Sequence, residues 1–412
     1  MAPGQRPDRS SAGRGVTIAA PRLKVALVTE TYLPEVNGVA MTLGRLSAGL
    51  AARGHHVHIV RPRQKHEKTG WQADGQLLTP GVPIPRYAEL RFGLPVTARL
   101  WQAWRDKTPD VVHVATEGPL GFSALSAARQ LGIPVVSTFH TNFHSYSQHY
   151  GVGWLHGSIE RYLRWFHNRT AATLVPTPTL AKQLSVRGFR AVGVLSRGVD
   201  TRLFNPAKRS PALRATWGAT EHDPVMMVVG RIAPEKNLAL ALAAFAAIRA
   251  EQPGAKMICV GDGPLLAALA RRHPECRFVG NQHGETLAAH YASADLFLFP
   301  SLTETFGNVV SEALASGLPV VAFNMAAASD LIEDGRNGQR VVPGDEPAFI
   351  VESCALARKM ANHVSFQSAG PASVRHLDWE CIHDDYASLL QAVIAQHAQR
   401  LAASEKLCFA PD

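Results

Sequence analysis

The strongest constraint on the fold is a repeated alternation of short apolar runs with amphipathic segments. From Leu23 the chain reads LKVALVTE, then NGVAMTLGRLSAGLAARG, then HHVHIVRP. Continuous Val/Ile/Leu strands that alternate with helices are typical of a parallel sheet covered on both faces. Four more runs predict strands before residue 200: DVVHVA (110–115), PVVSTFH (134–140), TLVPT (173–177) and AVGVLS (191–196).

The same alternation restarts after the segment RGVDTRLFNPAKRS. The strands predicted there are VMMVVGR (225–231), AKMICVGDG (255–263), RFVG (277–280), DLFLFPS (295–301) and PVVAF (319–323). Since one core stops growing at roughly 250 to 300 residues, a chain of 412 residues predicts two domains, joined near 198–224. We predict a disordered tail (1–21), a first Rossmann-like domain (22–198) that a C-terminal helix near 385–402 would complete, and a second Rossmann-like domain (199–384).

Composition predicts an ordinary soluble globular protein. Hydrophobic residues make up 46% and charged residues 18% of the chain, and no apolar run approaches the roughly 20 residues of a membrane-spanning helix. The first 21 residues lack the apolar region of a secretory signal, so we expect an unprocessed tail. Five cysteines without a C-x-x-C pair fit reduced thiols in the cytosol.

The charge is unevenly distributed along the chain. Residues 1–200 contain 24 Lys and Arg against 11 Asp and Glu, whereas the remainder contains 18 against 22. A basic half joined to an acidic half predicts that the first domain faces an anionic surface. Nucleic acid and anionic lipid are both candidates at this point.

The stretch SLTETFGNVVSEALASG places two acids around a turn between two apolar runs. Glu304 lies in the loop after a predicted strand, and Glu312 lies about one turn into a helix that Asn308 can cap. A helix N-terminus favours an anion such as phosphate, while carboxylates accept hydrogen bonds from vicinal hydroxyls. The pair therefore favours a sugar nucleotide, although both acids could also be ordinary solvated residues.

GRIAPEKN supplies the complementary charge. Arg231 and Lys236 follow a predicted buried strand at its carboxyl end. In open α/β sheets ligands bind beyond these ends, where a guanidinium and an ammonium can stabilise a departing diphosphate. A solvated surface pair is the alternative.

Five ordered segments together resemble the retaining family-four glycosyltransferases of GT-B fold. The segments are GRIAPEKN, VGDGP, FVGNQHGE, ADLFLFPSLTETFGNVVSEALASGLPVVA and DGRNG, and the spacing of Glu304 and Glu312 is similar to the family's E-x7-E signature. The resemblance covers roughly residues 23 to 390. It implies an α/β protein with two facing Rossmann-like domains, an interdomain cleft, and transfer of a hexose with retention of configuration.

The resemblance also assigns residues in the second domain. It implies that Arg231 and Lys236 bind the donor diphosphate, that Glu304 holds a hydroxyl of the donor sugar, and that Glu312 holds the nucleotide ribose. The remaining donor contacts implied there are the backbone amides of Phe306, Gly307 and Asn308, the loop containing Gly263, and Val279 beside the base.

In the first domain the resemblance implies that Gly38 lets backbone approach the donor and that His140 touches the donor sugar. From the residues alone, His140, His144 and His149 could instead hold a metal, but no carboxylate or H-E-x-x-H motif accompanies them. Since there is also no D-x-D pair, we expect no metal and no other cofactor. Relatives carry a Gly-Gly pair where this chain has the alanine run 326–328, which puts the contacts to the donor sugar in question.

The acceptor is predicted from the first domain. ELRFGLPVTARLWQAWRD and YGVGWLHGSIERYLRWFHNRT interleave basic residues with aromatic ones, as a monotopic membrane surface requires; the alternative is that the Trp side chains pack inward. VNGVAMTLGRL, PIPRYAELRFGLP and TFHTNFHSYSQHYG are similar to bacterial transferases that put hexoses on diacylglycerol or related lipids, including GDP-mannose-dependent mannosyltransferases. Together these features predict a UDP- or GDP-sugar donor and a lipid acceptor, diacylglycerol first. We expect a cytoplasmic enzyme at the inner face of the plasma membrane, with no nucleic-acid partner. Mannose transfer to a phosphoinositide or polysaccharide is the main alternative, ahead of a nucleotide-sugar epimerase or a nucleic-acid-binding protein.

Overall fold

The computed structural model describes residues 21–408 except 36, 65–66, 68–71, 74, 85–86, 141–155 and 360–362. Nearly all of the predicted tail therefore lies outside the described residues, as do His144 and His149. Every run predicted above as a strand contains or overlaps one. The strands that the sequence pattern missed are β3 to β6 and β16, whose bounds are given below.

The first sheet is parallel except at one edge. Its strands alternate with helices because each apolar run needs cover on both faces. The spatial order is β10-β9-β8-β7-β1-β2-β4-β3, and only the β3–β4 pair is antiparallel, while β5 and β6 form a separate antiparallel hairpin. The strands are β1 (Lys24–Val28), β2 (His56–Pro62), β3 (Gln72–Ala73), β4 (Gln76–Thr79), β5 (Gly81–Ile84), β6 (Tyr87–Gly93), β7 (Val111–Val114), β8 (Val135–Thr138), β9 (Ala172–Val175) and β10 (Val192–Val194).

Helices of the first domain pack on both faces of this sheet. Asn37 begins the first of them by accepting hydrogen bonds from the backbone N–H groups of Val39 (3.1 Å) and Ala40 (2.9 Å), as a helix N-cap does. The helices are α1 (Gly38–Ala52), α2 (Thr97–Asp106), α3 (Pro119–Gln130), α4 (His156–His167) and α5 (Pro178–Val186).

The second sheet is wholly parallel and has the order β13-β12-β11-β14-β15-β16. Counted from β11, this is the order 3-2-1-4-5-6 of a dinucleotide-binding Rossmann fold. The strands are β11 (Val225–Val229), β12 (Lys256–Val260), β13 (Arg277–Gly280), β14 (Leu296–Phe299), β15 (Val320–Phe323) and β16 (Gly338–Val341). The helices that follow the linker are α6 (Pro211–Thr216), α7 (Leu238–Glu251), α8 (Leu266–Arg272), α9 (Gly284–Ser293), α10 (Asn308–Ala315), α11 (Ala326–Leu331), α12 (Glu346–Lys359), α13 (His363–Val374) and α14 (Trp379–Cys408).

The C-terminal helix α14 returns to the first domain and packs against α1. Arg53, the residue directly after α1, bonds to Asp384 (2.7 Å) and Glu380 (3.0 Å). The ring of His383 fills the space where a side chain on Gly49 would lie. The helix is longer than the segment 385–402 expected from the sequence, and Gly49 is small because α14 lies against it.

Candidate active site

Each sheet has one switch point, a position between two neighbouring strands from which the chain connections run to opposite sides. In the second sheet it lies between β11 and β14, so the segment after β11, which contains Arg231 and Lys236, meets the loop after β14, which contains Glu304. In the first sheet it lies between β1 and β7, whose following loops contain Glu30 and Glu117. Ligands of doubly wound folds bind at such crevices, so the topology places the candidate site there.

Lys236 and Glu304 meet at the second switch point. Lys236 donates from Nζ to Oε1 of Glu304, and the hydroxyl of Ser301 donates to the same oxygen at 2.8 Å. Arg231 is 61% exposed and bonds only loosely to Glu235, at 3.4 Å. A pocket beside the strand ends is lined by both cations. The structure therefore brings Lys236 and Glu304 together and places Arg231 on the same pocket as Lys236, while the roles assigned to these residues stay predictions.

The turn before α10 differs from the prediction in one respect. Asn308 does not cap the helix: it is the first helical residue, and the capping position is taken by Gly307 with a left-handed φ of 88° and no side-chain cap. A side chain at Gly307 would also approach the ring of Phe299 to 3.3 Å. Since Asn308 is turned inward, its Oδ1 is buried without a hydrogen-bond partner in the described part of the chain.

Glu312 is not a solvated helix residue. Its carboxyl group lies beside the fully buried Tyr291, whose hydroxyl donates to Oε2 at 3.0 Å. Burial raises the pKa of Glu312 to about 7, against a smaller lowering by the Tyr291 hydroxyl. Because Oε2 already accepts a bond from Tyr291, the other carboxylate oxygen is left to accept bonds from the ligand. Its lone pairs suit the two neighbouring hydroxyl groups of a ribose.

Gly263 and Val279 lie at the ends of neighbouring strands. A side chain on Gly263 would overlap the backbone carbonyl of Ile232, so the turn after β12 can approach the Arg231 loop only with glycine there. The carbonyl of Val279 accepts a hydrogen bond from Gln282 at 2.8 Å. These contacts place both residues at the same edge of the sheet as Arg231.

The alanine run 326–328 begins α11 beside the same loop. The N–H of Ala327 donates to the carbonyl of Phe306 at 2.8 Å. Ala326 has a left-handed φ of 49°, which is costly for a residue with a Cβ. The position therefore keeps the backbone conformation that a glycine would adopt easily.

Gly38, His140 and Arg197 lie close together in the first domain. Both ring nitrogens of His140 are buried without a partner in the described residues, and burial, with a further contribution from Arg197, holds its pKa well below the ordinary value. A Cβ on Gly38 would lie 3.2 Å from Nη1 of Arg197. On the other side, the Arg197 guanidinium lies 6.0 Å from the ring centroid of Phe306 in the second domain.

Sequence reasoning missed Arg197, Glu30 and Glu117. Glu117 accepts a bond at 3.0 Å from the buried His167, which also bonds to Ser137 at 2.8 Å. Burial raises the pKa of Glu30 to about 7. The available signal was position: each of the three lies at the carboxyl end of a predicted strand or within two residues of it.

An open recess of about 380 Å³ lies beside Glu117. Phe122 and Tyr162 line it, and Trp165 stacks on both rings with centroid separations of 5.9 and 6.1 Å. Arg169 lies 4.0 Å from the centroid of the Trp165 ring. We call the exposed residues Phe122, Tyr162, Trp165 and Arg169 the aromatic patch.

The two helices predicted to face a membrane differ. On α2, Trp104 is buried, which agrees with the alternative that the Trp side chains pack inward. On α4, Tyr162 and Trp165 are exposed. None of the described helices combines the length and apolarity needed to span a bilayer. Within the same described residues no three metal-binding side chains cluster.

Comparison with known proteins is consistent across the chain. Residues 36–203 match the family model Glycosyltransferase Family 4, and residues 223–359 match Glycosyl transferases group 1. A GDP-mannose-dependent alpha-mannosyltransferase of Mycobacterium tuberculosis is 32% identical over 386 residues, which cover 92% of this chain and 99% of that protein. The alpha-monoglucosyldiacylglycerol synthase of Streptococcus pneumoniae is 27% identical over 394 residues, covering 92% and 88%.

Solved structures support the fold. A sucrose-phosphate synthase from Thermosynechococcus elongatus superposes with a TM-score of 0.70 over 91% of this chain and all of that chain, at 18% identity. HepE of Anabaena, solved in complex with UDP, superposes with a TM-score of 0.68 over 90% of this chain and all of its own, at 20% identity. The GT-B fold class expected from the sequence is confirmed.

Proposed function

Because the chain belongs to glycosyltransferase family 4, we propose that this hexosyltransferase moves a hexose from a UDP- or GDP-linked donor to a membrane lipid, diacylglycerol first. The observation that carries the proposal is the second switch point, where Arg231 and Lys236 line one pocket, Lys236 bonds to Glu304, and Glu312 lies buried beside Tyr291. Cations for a diphosphate and carboxylates for hydroxyls are what a nucleotide sugar requires.

Lys236 and Arg231 stabilise the charge that develops on the departing diphosphate. Lys236 is held by Glu304, and a bound diphosphate competes with that carboxylate for the ammonium. Glu304 is then available to accept a bond from a sugar hydroxyl, and His140 contacts the same sugar. A departing phosphate oxygen takes the proton of the acceptor hydroxyl, so this route uses no protein nucleophile and no metal.

The diphosphate assignment is tested with Arg231→Ala and Lys236→Ala. Each variant should lower kcat/KM for the nucleotide sugar by at least roughly 100-fold, since each removes a charge-assisted contact to the leaving group. Arg336→Ala is the matched control, because Arg336 is an exposed cation whose ion pair among the described residues is with neighbouring Glu333. Near-normal turnover in the Arg231→Ala/Lys236→Ala double variant would contradict the assignment.

The lipid acceptor is supported from the first domain. The recess beside Glu117 opens next to the aromatic patch, and both belong to the basic half of the chain. Exposed aromatic rings beside cations suit the headgroup region of an anionic membrane. Peripheral attachment there would let a lipid hydroxyl enter the cleft from the membrane side.

Membrane attachment is tested by sedimentation with vesicles that contain anionic lipid, at low and high salt. Tyr162→Ser/Trp165→Ser should weaken binding, and Arg169→Gln should reduce its salt dependence, since each cation contributes about 1 kcal/mol near anionic lipid. Val186→Ser is the control, because Val186 is an exposed apolar residue on α5, outside the patch. Absence of binding at both low and high salt would reject this part of the proposal.

Donor and acceptor are identified together in one assay. Labelled UDP-glucose, UDP-galactose, UDP-glucuronate and GDP-mannose are each incubated with diacylglycerol, phosphatidylinositol or a soluble polysaccharide. The name of the M. tuberculosis relative favours GDP-mannose, and that of the S. pneumoniae relative favours a diacylglycerol product. Epimer or free sugar formed without any acceptor would instead indicate an epimerase.

A further inference from the structure

Arg197 is a buried cation that the assignments above leave unused. It follows β10 at the end of the first domain and is only 8% exposed. Its guanidinium fits against Gly38, and its charge lies near the ring of Phe306 across the cleft. Arg197 is therefore placed where the two domains approach each other.

Within the described part of the chain Arg197 forms no ion pair, and its buried Nε has no hydrogen-bond partner. The charge of Glu304 lies near enough to favour the cationic form of Arg197, but that carboxylate is already engaged by Lys236. Burial lowers its pKa to about 10, so the side chain is still cationic at neutral pH. A buried charge without a partner is unfavourable, which indicates that an anion completes the site when a ligand binds.

The other two cations near the cleft, Lys236 and Arg231, differ from Arg197 in ion pairing or exposure. Lys236 is engaged by Glu304, and Arg231 is largely exposed. Arg197 alone among these three is both desolvated and unpaired, and it belongs to the opposite domain. The planar fork of a guanidinium matches two oxygens of a phosphate.

We propose that Arg197 binds the sugar-bearing phosphate of the donor from the first domain, opposite the cations of the second domain, and that Gly38 leaves the space in which its guanidinium lies. The inference rests on the proposed function, because it takes the ligand to be a nucleoside diphosphate sugar. It assigns Gly38 a role beyond backbone approach to the donor.

The test compares nucleoside diphosphates with monophosphates. Binding of UDP, UMP, GDP and GMP to the full chain is measured by titration calorimetry for the wild type, Arg197→Gln and Arg197→Lys. Arg197→Gln should weaken binding of the preferred diphosphate by roughly 10- to 100-fold, as loss of a charge-assisted contact does, and leave the corresponding monophosphate within about threefold. The diphosphate affinity of Arg197→Lys should lie between those of wild type and Arg197→Gln, since an ammonium keeps the positive charge but not the two-pronged geometry of a guanidinium.

Two controls make the outcome decisive. Arg190→Gln removes an exposed cation of the same domain and should leave both affinities unchanged. Gly38→Ala should weaken diphosphate binding in the wild type but far less in Arg197→Gln, because it acts by displacing the guanidinium. If Arg197→Gln does not fold, Arg197→Lys, which preserves the buried charge, carries the test.

The failures are distinguishable. Wild-type protein that binds none of the four nucleotides and none of the nucleotide sugars contradicts the proposed function itself. Wild-type binding of a diphosphate that Arg197→Gln and Arg197→Lys retain in full overturns the role of Arg197 only. Equal losses for diphosphate and monophosphate also overturn it, because the contact would not then be to the sugar-bearing phosphate.

Discussion

Replacement of Glu312 by Gln should change how stability depends on pH. Burial raises the pKa of this carboxyl group from 4.5 to about 7 in the folded chain. Between these values the folded protein holds a proton that the unfolded chain has released, so stability falls as pH rises through this window. A difference of about 2.5 pKa units corresponds to about 3 kcal/mol of unfolding free energy.

The assay is urea unfolding of the full chain at pH 4 to 8, followed by tryptophan fluorescence. The free energy of unfolding of Glu312→Gln, measured relative to wild type, should rise by about 3 kcal/mol from pH 4 to pH 8. Tyr291→Phe should enlarge the dependence and extend it to higher pH, because it removes the hydroxyl that stabilises the charged carboxylate. A wild-type-minus-variant difference that stays constant across the range would refute the reasoning.

Nucleotide binding should show the opposite trend if Glu312 accepts bonds from a ribose. A protonated carboxyl group has less acceptor capacity, so affinity should rise as pH increases through about 7. In Glu312→Gln this rise should disappear. Calorimetric titration of the preferred nucleotide at pH 6 and 8 separates this effect from the change in stability.

Two further predictions concern the backbone of the cleft. Gly121→Ala should destabilise the fold by about 2 to 4 kcal/mol, because its Cβ would overlap the backbone carbonyl oxygen of Thr116, which cannot turn aside as the end of a side chain can. In urea unfolding, Gly157→Ala, which meets nothing within 4 Å, should cost nothing, and equal effects would contradict the steric argument. Ala326→Gly should stabilise the fold by about 0.5 to 1 kcal/mol by relieving the left-handed φ, whereas Ala327→Gly on the same helix should destabilise it; a loss in Ala326→Gly would show that the conformation carries no strain.

Much of the second half was predictable because its signals are local. The apolar runs that end in Arg231, Ser301 and Phe323 fix the strands, and parallel strands bring their carboxyl ends to one edge. Glu304 and Lys236 could therefore be placed at one edge of the sheet from the sequence, but their ion pair could not. The cap at Asn308 could not be judged in this way, because the left-handed turn at Gly307 moves the helix start by one residue.

The sequence by itself determined the two doubly wound domains and the set of charges at the strand ends, since both follow from periodicity and from position along each strand. Only the tertiary structure decided which groups are desolvated and which meet across the cleft. Glu312 and Arg197 look like ordinary charged residues in the sequence, but Tyr291 covers the first, and Gly38 and Phe306 enclose the second. Burial and contact between distant segments depend on packing, and no local pattern encodes them.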